Sequence, residues 1–185
     1  GYSSAASDVY KRQLLGNDFH LTPHNLTKWQ LSPEIAAKCR RCGKHGTFTP
    51  LPGVTVETFP STDEGVAWMV TVNGQSIFHA GDLNWWHWAE EDLAWNRNME
   101  ANFKRYTEPL RGRRVDLAML PLDSRLKTGG YLGPNYFLNL MEVRRFLPMH
   151  QWEDFAFTDE FLSAYPQFAP ITVKIHRDGE FLGEL

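Results

Sequence analysis

An α/β layered domain is the fold class that this sequence predicts, and three observations predict it. From about residue 54 onward, short apolar runs bounded by turn residues alternate with stretches of helical periodicity, the pattern of interleaved strands and helices. Val115–Leu120 is a near-continuous apolar run, as in a strand covered on both faces. Asn73-Gly74 separates the runs Val66–Val72 and Gln75–Ala80 and is a strong hairpin signal.

Composition sets the outer limits. The 185 residues suffice for one domain with a real core. A hydrophobic share of 42% with 14% aromatics argues for a folded chain rather than disorder. A net charge of -3 gives no reason to expect nucleic acid or an anionic membrane surface. No apolar run approaches the roughly 20 residues that span a bilayer. Two cysteines make no disulfide framework, so a reducing, cytoplasmic setting is the expectation.

Residues 1–13 carry no apolar period and join abruptly to Leu14-Leu15. They read either as a non-native tail or as a mobile terminus, and residues 14–185 as a single domain. Leu14–Phe19 is a candidate strand and Leu21–Leu31 is turn-rich. Ser32-Pro33-Glu34 resembles an N-cap followed by proline at the first helical position. Cys39-x-x-Cys42 has zinc-knuckle spacing, and His45 is a third donor nearby. No second C-x-x-C closes the set, so a solvated basic loop is the competing reading. Val54–Phe59 alternates as a strand, and Ser61–Gly65 is a loop.

After Asp82 the sequence predicts a helix, with Asn84 as N-cap and Glu90, Glu91 and Asp92 complementing its dipole. Trp88, Trp95, Met99, Phe103 and Tyr106 recur on one helical face, expected to be buried. Trp85, Trp86 and His87 lie closer to the strand end and are candidates to line a substrate pocket. Pro121 stops the strand Val115–Leu120, leaving Asp123 and Arg125 in a rim loop. These two read equally as a local salt bridge or turn cap and as part of a site. Gly129, Gly130 and Gly133 predict a flexible loop, and Pro134 opens a helix to about Arg144. Arg145–Met149 is a short strand closed by His150, and Thr158–Tyr165 a helix. A terminal hairpin of Ile171–His176 and Glu180–Leu182 turns at Asp178-Gly179.

The chain is organised around Ser76–Trp88, S-I-F-H-A-G-D-L-N-W-W-H-W. A carboxylate placed where a strand stops, beside a glycine, sits at a sheet rim where a ligand can approach. H-A-G-D after one strand, P-L-D-S-R-L at Pro121–Leu126 after another and F-L-P-M-H at Phe146–His150 after a third together resemble the metallo-beta-lactamase fold. Within it, the branch resembled is that of hydrolases similar to the L-ascorbate-6-phosphate lactonases. The resemblance covers roughly residues 54–150. It implies an αββα sandwich with two sheets face to face, helices outside and the site at one edge. It also implies that Asp82 bridges two metal ions, zinc or manganese, and that His150 is a further ligand. In the family a histidine comes from the loop near residue 61. Here Ser61 and Asp63 stand in that place, and Asp123 is one more polar candidate.

Two metals sharing a carboxylate generate hydroxide at neutral pH, so the resemblance implies hydrolysis of a small ester, lactone or phosphate-bearing molecule. The family's H-x-H-x-D-H motif is absent. His20 and His24 do not match it, and His79, by strand alternation, faces away from Asp82. The expectation is a family member lacking its first strands and most of its metal site, inactive by itself. A second reading is a non-catalytic protein that binds a sugar or nucleotide on a tryptophan-rich rim, Trp85, Trp86 and Trp88. A third is a small metal-binding module centred on Cys39, Cys42 and His45.

Overall fold

A computed structural model describes residues 19–21 and 39–183. The expected strand at Leu14–Phe19, the turns that follow it, the helix at Ser32 and the tail 1–13 lie mainly or wholly outside them. Strands β1 (Phe19–Leu21) and β2 (Cys39–Arg41) pair in parallel. β3 (Thr47–Leu51), β4 (Val54–Pro60), β5 (Val66–Val72) and β6 (Gln75–His79) form an antiparallel meander. Helix α1 (Leu93–Thr107) then crosses to β7 (Arg114–Pro121), and α2 (Leu132–Leu140) crosses to β8 (Glu142–Met149). β6, β7 and β8 run parallel, completing a six-stranded sheet in sequential order. Helix α3 (Phe157–Ala164) follows. The α/β class is as expected. Among the described residues there is one sheet of six strands with helices, and the short β1–β2 pair is a separate two-stranded sheet.

The hairpin between β5 and β6 turns at Asn73 and Gly74, both at positive φ (50° and 84°), as a type I′ turn requires. The register across the sheet puts Met69, Phe78, Ala118 and Phe146 in one row. All four are buried, and this row centres the core. Phe78 stacks on Phe137 of α2 at 4.8 Å, and Phe146 meets Phe161 of α3 edge-on at 6.1 Å. The helices therefore cover the face that carries this row.

Several elements depart from the sequence reading. No helix follows Asp82 directly: α1 starts at Leu93, and Asp92 rather than Asn84 is its N-cap, accepting from the Trp95 amide at 2.7 Å. The buried residues of α1 are Asn96, Phe103 and Thr107, so Trp95 and Met99 are only half-buried and Trp88 precedes the helix. Phe103, rather than Trp95, is the buried aromatic of the helix. α2 ends at Leu140, four residues before Arg144, and β8 begins at Glu142 rather than Arg145. No terminal hairpin forms among the described residues. Thr172 instead bridges to Phe146, and the Val173 amide donates to the Phe146 carbonyl at 2.8 Å, so the segment extends the β8 edge. The Cys39–Cys42 stretch is not a solvated loop either: Cys39 lies in β2 and Cys42 is buried, with exposure beginning at Gly43.

Candidate functional site

Parallel pairing brings the C-terminal ends of β6, β7 and β8 to one rim. The Ala80 amide donates to the Met119 carbonyl at 3.0 Å, and the Leu122 amide to the Met149 carbonyl at 2.8 Å. Loops leaving the strands from this rim converge, as ligand crevices of α/β sheets do. Asp82 leaves β6 and His150 leaves β8. Although 150 − 82 = 68 residues separate them, His150 Nε2 lies 3.4 Å from Asp82 Oδ1, with both side chains nearly buried at 12% and 11% exposure.

That spacing is informative. It is longer than the roughly 2.7–2.9 Å of a charge-assisted hydrogen bond. Two donors each about 2.0–2.2 Å from a tetrahedral zinc lie about 3.3–3.6 Å apart, so the pair has the separation of two corners of such a site. Oxygen and imidazole nitrogen are also the donor types zinc takes. Among the described residues no third His, Cys, Asp or Glu joins the pair to form a group of three, and this includes Cys42 and His45. The pair therefore supplies, among the described residues, two of the three ligands that a catalytic zinc normally has.

The surroundings hold both residues in place. Trp86 is buried, donates its indole N–H to the Asp82 carbonyl at 2.9 Å and packs its ring 5.8 Å from that of His150. Thr62 ties the loop after β4 to the same segment: its hydroxyl donates to the Asn84 carbonyl at 2.7 Å and accepts from the Asn84 amide at 3.0 Å. Thr62 is a residue that sequence reading missed, because nothing local marks a hydroxyl whose partner is 22 residues on. Its neighbours Ser61 and Asp63 close on each other instead, the Asp63 amide donating to the Ser61 hydroxyl at 3.2 Å, and Asp63 is exposed.

Trp85 and His87 occupy other positions. Trp85 packs among Phe103, Tyr136 and Lys104 in the helix layer. His87 lies against Gly129. Trp85 is half-buried and Trp86 buried, so these two do not form an exposed platform. His79 accepts from the Gly81 amide through Nδ1 at 3.0 Å.

Asp123, fully buried, is both the turn cap and the salt bridge that its sequence suggested. Its Oδ1 accepts from the Arg125 amide at 3.0 Å and from Nε at 2.9 Å, and its Oδ2 accepts from Nη2 at 2.6 Å. Trp152 adds an indole N–H to Oδ2 at 3.1 Å. The three glycines expected to loosen this loop do the opposite. A β-carbon on Gly133 would lie 1.9 Å from Asn84 Oδ1, one on Gly130 2.5 Å from the Asp123 carbonyl, and one on Gly129 2.7 Å from the His87 carbonyl. They allow the β6 and β7 loops to pack against α2 and the short helical segment before it, at Ser124–Tyr131.

Backbone strain concentrates here. His150, Trp152 and Glu153 all take positive φ (60°, 51° and 65°). Each such residue without special side chains costs about 1–2 kcal/mol, and strain of this kind persists only where the surroundings over-determine it. Gln151 supplies one constraint by donating to Thr158 at 2.5 Å, both residues being buried, and the Trp152 contact with Asp123 supplies another.

No protein-family model matches the sequence, and no curated protein matches it. Solved structures to which the chain is similar include Zn(2+)-bound PqqB from Methylobacterium extorquens, with 17% identity and a TM-score of 0.40, over 72% of this chain and 50% of that one. A candidate Zn-dependent hydrolase of the metallo-beta-lactamase superfamily from Thermotoga maritima shares 14% identity and a TM-score of 0.34, over 60% and 49%. The chain thus spans about half the length of either. At that similarity neither neighbour bears on the site, which stands on its own geometry.

Proposed function

We propose that this chain carries part of the active site of a metal-dependent hydrolase of the metallo-beta-lactamase superfamily, with Asp82 and His150 as metal ligands. The observation that carries the reading is the 3.4 Å approach of the two side chains at a strand-end rim. The substrate class proposed is a small ester, lactone or phosphate-bearing molecule. The metal is zinc, with manganese as the second candidate, and the whole protein holds two ions.

When bound, such ions supply a hydroxide nucleophile at neutral pH by lowering the pKa of water from about 15.7 to about 7. The chain's own residues do the positioning. Trp86 fixes the Asp82 backbone and walls one side of His150. Thr62 holds the segment after Asp82. The strained 150–153 turn aims the His150 side chain at Asp82. Because Asp82 and His150 are only two ligands, the pair alone binds zinc weakly, and tight binding takes further ligands from outside it. The reading as a binding protein with a tryptophan platform gains no support from the inward positions of Trp85 and Trp86.

Zinc and manganese titration of the chain and of Asp82→Ala and His150→Ala tests this, with calorimetric or competition readout. Each variant is expected to weaken zinc binding at least tenfold, with the fold confirmed by circular dichroism. Zinc affinity unchanged in both variants would overturn the assignment.

A further inference from the structure

We infer that Arg125 is the anion-recognising residue of the same crevice, and that the molecule bound there carries a carboxylate or a phosphate. Its position follows from two neighbours. The guanidinium lies 4.3 Å from the Trp152 ring and 5.6 Å from the Trp88 ring. Trp152 is two residues from His150, and Trp88 is two residues from Trp86, which touches both His150 and Asp82. Arg125 therefore packs against both of the loops that carry the Asp82–His150 pair.

Its chemistry follows from a donor count. A guanidinium has five N–H groups. Asp123 takes one from Nε and one from Nη2. Both Nη1 hydrogens and the second on Nη2 have no partner among the described residues, and the side chain is 41% exposed. The remaining donors form one edge of a planar fork, the shape that binds a carboxylate or phosphate through two parallel hydrogen bonds. A free arginine of this kind loses about 2 kcal/mol of rotamer entropy on binding a ligand. Here the buried Asp123 and the two indoles have already fixed it, so the fork is preorganised. Burying one carboxylate completely, with three Arg125 bonds and an indole on it, is the arrangement expected of a side chain held for contact.

The location of this contact rests on the reading of Asp82 and His150 as the site; the donor edge itself does not. The test uses the 185-residue chain with nitrogen-15 arginine side chains, observed by NMR during titration with inorganic phosphate and, separately, acetate. The Arg125 Nε–H and Nη signals are expected to shift saturably, while those of Arg111 and Arg145 do not. Whichever anion saturates at the lower concentration identifies the group. Arg125→Lys keeps the charge beside Asp123 but loses the fork, and is expected to weaken binding at least tenfold with an unchanged circular dichroism spectrum. No saturable shift at Arg125 with either anion, parallel shifts at all three arginines, or undiminished binding in Arg125→Lys would each overturn the inference. Asp82→Ala separates the two readings. If it abolishes zinc binding while Arg125 stays silent, only the anion contact fails. If it leaves zinc binding intact while Arg125 responds, only the metal assignment fails.

Discussion

Strands β6, β7 and β8 begin at one rim of the sheet and end at the other, and the two rims are built on different principles. At the starting rim the charged groups stay near water. Asp116 on β7 accepts from the Ser76 amide at 2.9 Å and hydroxyl at 3.2 Å, and Arg144 stands 3.9 Å away with half its side chain exposed. Arg111 and Glu108 pair in the open just before β7. At the ending rim Asp82 and Asp123 are buried, three residues take left-handed backbone conformations, and glycines let loops and helix touch. Solvated charges tolerate the loss of a partner, because water replaces it. Buried ones do not, because the desolvation cost remains when the partner goes. The same three strands thus carry a tolerant end and an intolerant one, and the intolerant end is where chemistry is proposed.

Removing the partner of Asp123 probes that contrast hardest. Arg125→Met leaves a fully buried carboxylate with only the Arg125 amide and the Trp152 indole. The expected loss is about 3–5 kcal/mol of folding stability, the range for breaking one side of a buried pair. Urea unfolding measures it. A loss below about 1 kcal/mol would place Asp123 with the solvated charges of the opposite rim.

Close packing at the intolerant rim gives the next largest effect. Gly133→Ala drives a β-carbon into Asn84 Oδ1, and overpacking of this kind costs about 1–3 kcal/mol. Adding Asn84→Ala removes the obstructing oxygen, so the double variant is expected to recover part of the loss. Strict additivity of the two changes would mean that the side chains do not meet.

These contacts also show what was legible in the sequence. The hairpin was, because Asn73-Gly74 dictates its own turn. So were the strands, whose alternation is local, and so was the convergence of Asp82 and His150, since both close apolar runs that end at one rim. The late start of α1 was not. Leu83–Glu91 has helical composition, but its polar groups are engaged elsewhere. Thr62 holds Asn84, the Asp82 carbonyl takes the Trp86 indole, and the Asn96 side chain bonds both the amide and the carbonyl of Trp88 at 3.1 and 2.9 Å. Tertiary bonds replaced helical ones there, and Asp92 was left to cap. The glycines misled for the same reason: a close approach to Asn84, 49 residues away from Gly133 (133 − 84 = 49), leaves no local mark. The C-terminal segment likewise has a turn at Asp178-Gly179, yet an open edge of β8 competed for its strand.

Thr62→Val isolates the hydroxyl that ties two loops at the ending rim. The substitution keeps the shape and leaves the Asn84 amide and carbonyl without that partner. Leaving buried backbone groups unsatisfied costs about 1–3 kcal/mol. Amide hydrogen exchange at Asn84 is expected to quicken well beyond the change at Phe78, in the core of β6. Equal change at both positions would mean that Thr62 contributes only to global stability.

The smallest effect is expected at the tolerant rim, from Ser76→Ala. Hydrogen bonds from the Ser76 backbone and then its hydroxyl hold the Asp116 carboxyl below its ordinary value, with Arg114 and Arg144 adding to this. The substitution removes only the hydroxyl, so the pKa of Asp116 is expected to rise while staying below that of an isolated carboxyl. A carboxylate whose folded pKa is depressed contributes stability that is present above its unfolded pKa and is lost as pH falls through the folded one. The difference between wild type and Ser76→Ala should therefore be constant from pH 7 down to about pH 4–5 and should shrink below that. Its size is about 1 kcal/mol or less, since water can approach the site and replace the lost donor. Carbon-detected NMR titration of Asp116 gives the pKa directly, and urea midpoints at pH 7 and pH 3.5 give the stability difference. A difference that stayed constant through the acid range would assign the effect to packing. One as large as that of Arg125→Met would show that this rim, too, depends on buried charge, and the contrast between the two ends of the sheet would fail.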